Sequence, residues 1–286
     1  MAVHLYAICW NEGVMIDFFL RHYEGIVDRF IIFDDHSTDG TAETLRRHPK
    51  VDLRTSERRV RNSLVLSMLA IYNEAWKESR GQADWVIVTN IDEHLYHPRM
   101  LPYLDDCRHQ GVTTIPALGY NMVAAAFPDP PMRLAQAVTR GVPNPYMSKL
   151  DVFNPDAVRE INYGTGRHQA WPKGRVVWPA RDEMMNLHYK HMGRSRVVDR
   201  HAALKAGLGS LDRRRGWGFH YDWSKAELAE LWEDLEQRGV DVAEPGFEPW
   251  GHHLARRWWR EPPKERLRGF GWTQWRRLMA LRAALG

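Results

Sequence analysis

Two short apolar segments of this chain each end abruptly at acidic residues. Residues 29–33 lead into an acidic run at 34–41, and residues 85–89 lead into a second cluster at 90–94. Short runs dense in Ile, Val, Phe and Trp are typical of buried parallel strands, and parallel sheets bind ligands beyond the carboxyl ends of their strands. We therefore expect the two acidic groups to face one crevice.

Helical patterns alternate with strand patterns through the first 90 residues. The predicted elements are strands at 3–9, 29–33, 51–54 and 85–89 and helices at 12–24, 41–47 and 62–80. Strands that alternate with helices in this way favour a parallel or mixed sheet covered on both faces. The sequence therefore predicts an α/β fold.

The pattern changes after Pro116. Residues 118–196 are rich in proline, glycine and aromatic side chains, which predicts long ordered loops that shape a pocket. Residues 224–238 return to a helical pattern, with Ser224 at the N-cap and Glu227 at the capping-box position. We therefore expect one domain over residues 1–223 and a helical C-terminal extension over residues 224–286.

The composition suits a globular protein. With 286 residues, of which 44% are hydrophobic, the chain can bury one sizeable core. Cys9 and Cys107 lack the spacing of metal ligands and allow at most one bridge, which favours a reducing compartment. The N-terminal residues lack a secretory pattern, and no run reaches about 18 apolar residues. We therefore expect a cytoplasmic protein without a membrane span.

The order of the polar motifs resembles a known family. Residues 10–12 (Trp-Asn-Glu) follow the first predicted strand, residues 34–41 read Asp-Asp-His-Ser-Thr-Asp-Gly-Thr, and residues 90–93 read Asn-Ile-Asp-Glu. Together, over roughly residues 3–123, these motifs resemble the nucleotide-binding half of family 2 glycosyltransferases and their family 92-like relatives.

This resemblance implies a GT-A fold, a Rossmann-like mixed sheet flanked by helices, with a nucleotide-binding half at about 1–123 and an acceptor half at about 124–223. It also implies a nucleotide-diphosphate sugar as donor and a divalent cation, Mn²⁺ or Mg²⁺. Residues 148–155, 164–168 and 187–190 resemble, more weakly, the later blocks of these relatives, where histidine and basic groups return to the diphosphate.

The chemistry of sugar transfer indicates which residues to consider as metal ligands. A departing nucleotide diphosphate gains negative charge, so its site needs a hard cation held by carboxylates, and often cationic side chains as well. Asp92 is the strongest ligand candidate, Glu93 either ligates or orients Asp92, and His188 adds a nitrogen ligand for Mn²⁺. The candidates for neutralising phosphate charge are Lys149, Arg167 and Lys190.

Four residues at the ends of the first two strands are candidates for binding the base and the ribose: Asn11, Glu12, Asp34 and Asp35. Asp34 and Asp35 have an alternative role, since acidic residues at such positions commonly cap a turn into a helix. Asp39 is expected to fix the turn before the helix that Thr41 caps.

An inverting transferase needs a base near the acceptor hydroxyl. The candidates are Asp151, His168, Asp182 and Glu183, and Asp182 and His168 rank first because they lie close to the other predicted site segments. His168 has the alternative role of fixing its glycine-rich loop through hydrogen bonds. The spacing of His188 and His191 suits one helical face, and His191 is expected to be structural.

Asn90 departs from the pattern of the family. Many relatives carry Asp-x-Asp where this chain has Asn90-x-Asp92, so one negative charge is missing. We therefore expect weaker metal binding. Glu93 keeps two carboxylates in the cluster, so metal dependence is still expected.

The carboxyl end interleaves arginines with tryptophans. The residues concerned are Arg256, Arg257, Trp258, Trp259, Arg260, Lys264, Arg266, Arg268, Trp272, Trp275, Arg276, Arg277 and Arg282. This mixture suits peripheral attachment to an anionic membrane surface at its inner face. The alternative is that the indoles pack on the domain while the arginines stay solvated. Nucleic acid fits less well, because no recognised nucleic-acid module surrounds the tail.

These observations predict an inverting, metal-dependent glycosyltransferase that acts on a hydroxyl of a glycan, cell-surface polysaccharide or lipid-linked acceptor. One alternative is a glycan- or membrane-binding protein that keeps the fold and has lost the chemistry, which Asn90 permits. The other, a sugar nucleotidyltransferase, normally needs a glycine-rich basic loop after the first strand, and residues 10–13 do not supply one.

Overall fold

The structure is a computed structural model that describes residues 1–253 and 257–260. Its strands, in chain order, are β1 (Val3–Cys9), β2 (Arg29–Asp34), β3 (Val51–Thr55), β4 (Trp85–Asn90), β5 (Glu93–Tyr96), β6 (Thr114–Ala124), β7 (Arg140–Pro143), β8 (Lys149–Phe153), β9 (Val158–Glu160), β10 (Lys173–Gly174), β11 (Met185–Met192) and β12 (Val240–Asp241).

Helices connect and cover these strands. They are α1 (Ile16–Tyr23), α2 (Thr41–Arg47), α3 (Leu64–Glu74), α4 (Met100–His109), α5 (Leu134–Ala137), α6 (Arg194–Gly207), α7 (Ser210–Arg214), α8 (Lys225–Arg238) and α9 (Pro249–His252). Short 3-10 turns cover Ala75–Ser79, Pro145–Met147, Thr165–Arg167, Phe219–Asp222 and Trp258–Arg260.

A mixed sheet of ten strands organises the described chain, while β9 and β10 form a separate antiparallel pair. Its strands lie in the order β12-β7-β6-β8-β4-β1-β2-β3, and β11 pairs with both β5 and β6. The strands β4, β1, β2 and β3 are mutually parallel, whereas β8 runs antiparallel to both β4 and β6. Residues of β1 and the interior of β4 are buried on both faces, as expected for parallel strands covered by helices. The predicted mixed α/β sheet flanked by helices is therefore confirmed.

The predicted elements of the first 90 residues are confirmed, with shifts at their ends. The first helix begins at Ile16 rather than at residue 12, because Glu12 accepts the first turn's hydrogen bonds before the helix starts. The helix Thr41–Arg47 is preceded by Gly40 at φ +89°, so the prediction that Thr41 is its cap is wrong. Glycine occupies that position because the left-handed region costs it no steric strain.

The prediction of long loops over residues 118–196 is wrong. This region forms most of β6 and all of β7 to β11. Buried polar residues such as Lys149 and Asp151 interrupt the apolar pattern of these strands, so the sequence resembles a loop. His188 and His191 consequently lie on the strand β11, with a register shift between them, and not on a helix.

The domain boundary differs from the predicted one after residue 223. Residues 1–253 form one compact unit, and residues 254–286 are separate from it. Helix α8, with its predicted Ser224–Glu227 capping box, belongs to the compact unit, because Trp232 and Leu235 pack with Val123 and Val142 of the sheet.

The predicted basic and aromatic extension lies mostly outside the described residues, Arg256 and everything after residue 260 included. Within residues 254–286 the structure describes residues 257–260, where the rings of Trp258 and Trp259 meet edge to face. Among the described helices, none combines the length and the apolar character that a membrane crossing requires.

Candidate active site

The acidic clusters meet at one edge of the sheet. Strand β1 pairs in parallel with β2 and β4, so Cys9 lies opposite Asp34, and Ile8 lies opposite Asn90. The residues that follow β1, β2 and β4 therefore emerge side by side at the carboxyl ends of parallel strands, where sheets of this kind bind ligands.

The loop after β2 is fixed to the turn after β1. The side-chain oxygen of Asn11 accepts a hydrogen bond from the backbone of Thr38 at 2.7 Å, and the backbone N–H of Asn11 donates to the hydroxyl of Ser37 at 2.8 Å. The carboxylate of Asp39 accepts from the backbone of Gly13 and from both the backbone and hydroxyl of Thr41. The predicted role of Asp39 in fixing this turn is therefore confirmed.

Asp34 and Asp35 differ in their contacts. The carboxylate of Asp34 accepts from the backbone N–H of Ser37 at 3.2 Å, the turn-capping contact of the alternative interpretation. The carboxylate of Asp35 lies 3.8 Å from the guanidinium of Arg58 and is largely buried. Of these two aspartates, Asp35 is therefore the one whose carboxylate lies near a cation.

Asp92, Glu93 and His188 converge at this edge. One potential ligand atom from each residue lies within 4.8 Å of the other two. Nε2 of His188 lies 3.3 Å from a carboxylate oxygen of Asp92, and its Nδ1 lies 3.2 Å from the amide oxygen of Asn121. Burial alone would raise the pKa of Asp92, but His188 and two nearby cations outweigh it and hold the pKa well below its usual range.

This donor set fits a divalent cation. In the neutral tautomer of His188, whose Nδ1–H donates to Asn121, the Nε2 atom is an acceptor that faces the Asp92 carboxylate. Two acceptors 3.3 Å apart repel each other unless a cation or a proton lies between them. An imidazole oriented by a second hydrogen bond is a common arrangement at metal sites, and a nitrogen ligand suits Mn²⁺ better than Mg²⁺.

The buried carboxylate of Glu93, the residue after Asp92, is contacted by three hydrogen-bond donors. Its carboxylate contacts Nζ of Lys149 at 2.5 Å, the guanidinium of Arg167 at 2.8 Å and the side-chain amide of Asn90 at 2.8 Å. Lys149 and Arg167, expected at a phosphate, therefore make their observed charge contacts with protein carboxylates in the interior. Burial alone would raise the pKa of Glu93, but these two cations outweigh that effect and lower the pKa to about 2.

Two arginines that the sequence interpretation did not single out line the crevice. From α6, Arg200 donates to the carbonyls of Trp10 and Asn11 and to the carboxylate of Glu12, and Arg196 lies 3.8 Å from the same carboxylate. Glu12, predicted to read the nucleotide, is thus bound by cations. The signal in the sequence was two arginines four residues apart, which share one face of a helix.

Lys190 lies on the same side of the crevice as these arginines. Its Nζ is 5.2 Å from the centre of the Tyr221 ring. Burial lowers the pKa of Lys190 to about 8, against the opposing pull of Asp92. An open pocket of about 370 Å³ lies nearby, lined on one side by Asn11 and Asp39 and on the other by Arg196 and Arg200.

The two predicted base candidates lie in different places. Nδ1 of His168 donates to the carbonyl of Tyr146 at 2.8 Å, and the His168 ring stacks on the Tyr146 ring at 3.7 Å. Asp182 precedes β11 and lies near Tyr103 of α4. A role for Asp182 as the base stays a prediction.

Comparison with known proteins leaves the family open. No protein-family model and no curated protein matches the chain. Among solved structures, it is similar to glucosyl-3-phosphoglycerate synthase from Mycobacterium tuberculosis, in complex with Mn²⁺, uridine diphosphate and glucosyl-3-phosphoglycerate, with 17% identity over 42% of this chain and 44% of that one and a TM-score of 0.30. It is also similar to residues 1–349 of S. aureus TarS in complex with UDP, with 10% identity over 54% and 47% of the chains and a TM-score of 0.33. The aligned part spans less than half of each protein.

Proposed function

We propose that this protein is a glycosyltransferase that uses a nucleotide-diphosphate sugar and a divalent cation. The observation that carries the proposal is the convergence of Asp92, Glu93 and His188 at the carboxyl edge of parallel strands. The motif at residues 34–41 and the arginines of α6 support it, because they surround that edge with polar and cationic groups.

We propose that Asp92 and His188 hold Mn²⁺ or Mg²⁺ and that Glu93 sits directly behind them. When bound, such a cation neutralises charge that develops on the diphosphate as the sugar leaves. The side-chain oxygen of Asn121 accepts a hydrogen bond from Nδ1–H of His188, and this bond keeps Nε2 directed at the cation site. Asp92 is the most accessible of the three side chains, with 27% of its surface exposed.

In this proposal, cationic side chains of α6 and β11 neutralise the remaining charge of the diphosphate. Arg196, Arg200 and Lys190 lie close enough to Asp92 to interact with it electrostatically. A diphosphate bound next to the cation would therefore also be attracted by these three positive charges. Guanidinium groups bind phosphate oxygens through paired hydrogen bonds. These residues replace Lys149 and Arg167 as our candidates for phosphate contact.

The base and ribose lie, in this proposal, against Asn11, Glu12, Asp34 and Asp35. Asn11 is partly exposed, whereas Asp34 caps its own turn, Asp35 is largely buried and Glu12 is bound by two arginines. The acceptor, a hydroxyl of a glycan, polysaccharide or lipid-linked sugar, then approaches from the side of Tyr221.

For inversion by direct displacement the reaction needs a base at that hydroxyl, and His168 is the predicted candidate that lies on a loop next to the Glu93 network. Burial lowers the pKa of His168 well below its usual value, which keeps its imidazole neutral but also makes it a weak base. Peripheral membrane attachment of a cytoplasmic enzyme is a separate proposal that depends on the tail, which lies beyond the described residues.

Thermal unfolding against UDP-, GDP-, CMP- and dTDP-linked sugars, with and without Mn²⁺ or Mg²⁺, tests the proposal. A ligand present at about 100 times its Kd stabilises the folded state by about 2.7 kcal/mol, which raises the midpoint by several degrees. We expect one class of donor to give a metal-dependent shift that Asp92→Ala removes and Asp106→Ala, an exposed carboxylate of α4, preserves.

The same donor should be hydrolysed slowly without an acceptor, and Asp92→Ala should abolish this turnover. No shift with any donor would refute the proposed enzyme. That result would favour the second candidate, a glycan- or membrane-binding protein that has lost the chemistry, for which the substitution of Asn90 in the metal motif is the specific observation.

A further inference from the structure

Four charged side chains form a buried, linked network next to Asp92. They are Glu93 on β5, Lys149 and Asp151 on β8, and Arg167 on the 3-10 turn Thr165–Arg167, and each is at most 2% exposed. Two carboxylates and two cations balance in formal charge. A buried ion network of this kind is weak evidence for stability, because desolvation of the charges offsets their attraction.

Arg167 is the centre of the network. Its guanidinium contacts Glu93 at 2.8 Å and Asp151 at 2.6 Å, and it also donates to the carbonyl of Val88 on β4. One side chain therefore ties together β4, β5 and β8, and the first two of these strands flank the turn that carries Asp92. The planar fork of arginine can serve three such acceptors at fixed angles, which a lysine cannot do.

The backbone of the loop is bent to deliver this arginine. Arg167 has φ +57°, Gly166 has φ +65°, and Asn162 has φ +52°. A left-handed backbone is uncommon for residues other than glycine, and such strain is found mostly where the surrounding structure requires it for function. Here the strain directs Arg167 inward to Glu93.

The turn that carries Asp92 is held from both sides. On one side Asn90 donates to Glu93 and accepts from the hydroxyl of Tyr72 at 2.7 Å, and on the other the carbonyl of Asp92 accepts from the backbone of Tyr189 at 2.7 Å. Because Glu93 is the next residue after Asp92, fixing the carboxylate of Glu93 restricts the backbone that aims Asp92 at His188.

We propose that Arg167 and Lys149 are positioning residues that set the geometry of the cation site through Glu93, and that they do not contact the nucleotide. This inference rests on the proposed function, since it concerns the cation that Asp92 and His188 would hold. Partners behind metal ligands commonly change metal affinity by about 10- to 100-fold when they are replaced.

Mn²⁺ binding, followed by the electron paramagnetic resonance signal of the free ion, tests this inference on the full chain. We expect Arg167→Met to weaken Mn²⁺ binding by about 10- to 100-fold. Arg167→Lys keeps the charge and should give an intermediate loss. The matched control is Arg80→Met. Like Arg167, Arg80 donates to backbone carbonyls, here those of Pro155 and Arg159, and lies over an aromatic ring, that of Trp76, but it has no contact with Glu93.

A purely structural role would lower the unfolding midpoint of Arg167→Met and Arg80→Met alike and leave the Mn²⁺ affinity of both unchanged, and that result would overturn the inference. If Arg167→Met does not fold, Lys149→Met decides by the same criterion, since it removes one contact to Glu93. Wild-type protein that fails to bind Mn²⁺ with or without nucleotide would overturn the proposed function together with this inference. Unchanged affinity in the variants alone would leave the proposed function standing.

Discussion

The substitution Asn90→Asp, which gives residues 90–92 the Asp-x-Asp pattern of the family that the sequence resembles, should damage this protein. From the sequence alone, an added carboxylate at position 90 is expected to strengthen metal binding. In the structure, the side-chain amide of Asn90 donates to Glu93 at 2.8 Å, and its oxygen accepts from Tyr72. A carboxylate cannot donate, so the substitution places two negative groups side by side where a hydrogen bond stood.

The size of the effect follows from this distance. Two like charges 2.8 Å apart repel by about 6 kcal/mol at an effective dielectric constant of about 20. Protonation limits the cost, because keeping an aspartate of ordinary pKa about 3.9 neutral at pH 7 costs about 4 kcal/mol. With Lys149 and Arg167 nearby to offset part of the repulsion, we expect a loss of about 2–4 kcal/mol in the free energy of unfolding at pH 7.

The dependence on pH identifies the cause. The repulsion raises the folded-state pKa of the introduced carboxyl above its unfolded value of about 3.9, so the penalty is absent below pH 4 and grows as the pH rises toward 7. Urea unfolding of wild type, Asn90→Asp and Asn90→Ala at pH 4.5 and pH 7.5 measures it. The alanine variant, which loses only hydrogen bonds, should show a difference from wild type that hardly changes with pH. An Asn90→Asp protein as stable as wild type at pH 7.5 that binds Mn²⁺ more tightly would refute this reasoning.

Three further predictions concern α6, α8 and α7. Arg200→Met should raise the Kd for the nucleotide diphosphate by about 10- to 100-fold in calorimetric titration, as expected for a lost charged hydrogen bond, while Arg46→Ala on the surface of α2 should not. Trp232→Ala should lower the free energy of unfolding by about 3–5 kcal/mol in denaturant titration with Mn²⁺ affinity unchanged, and a loss below 1 kcal/mol would contradict the packing of α8 on the sheet. Asp212→Ala should cost about 1–3 kcal/mol and increase proteolysis near residues 207–215, since Asp212 anchors α7 to Ser63 and the backbone of Leu64; unchanged proteolysis would argue against this anchor.

The first half of the fold could be predicted because its strands carry their own signal. Strand β1 was predicted at its observed bounds, and β2, β3 and β4 within one residue. The strands β1, β2 and β4 are short apolar runs with buried interiors, whereas β3 at the edge of the sheet is only partly buried. The carboxyl ends of parallel strands share one edge of a sheet, so the meeting of the two acidic clusters followed from the same pattern.

The second half could not be predicted because its strands bury charge. Lys149 and Asp151 on β8 are compatible with burial only through Glu93 and Arg167, which come from distant parts of the chain. No local pattern reports such pairing, so these positions had the composition of a loop and their cations were interpreted as free to bind phosphate. His188 likewise owes its place to the pairing of β11 with β5, opposite Glu93.

The roles of Glu12 and Arg200 show the same dependence on long-range contacts. Glu12 follows the first predicted strand, whereas no element was predicted at Arg200, and 188 residues separate the two ends of their ion pair. The sequence could place Glu12 at the end of β1 and could not show that α6 returns over it.

The most direct test of the proposed site is an anomalous diffraction map, at the manganese absorption edge, from crystals grown with Mn²⁺ and the nucleotide diphosphate selected by thermal unfolding. We expect one peak within bonding distance of a carboxylate oxygen of Asp92 and Nε2 of His188, with the diphosphate against it and the guanidinium groups of Arg196 and Arg200 on the far side. A peak that contacts neither Asp92 nor His188, or a nucleotide bound with no anomalous peak at this edge of the sheet, would contradict the proposed site.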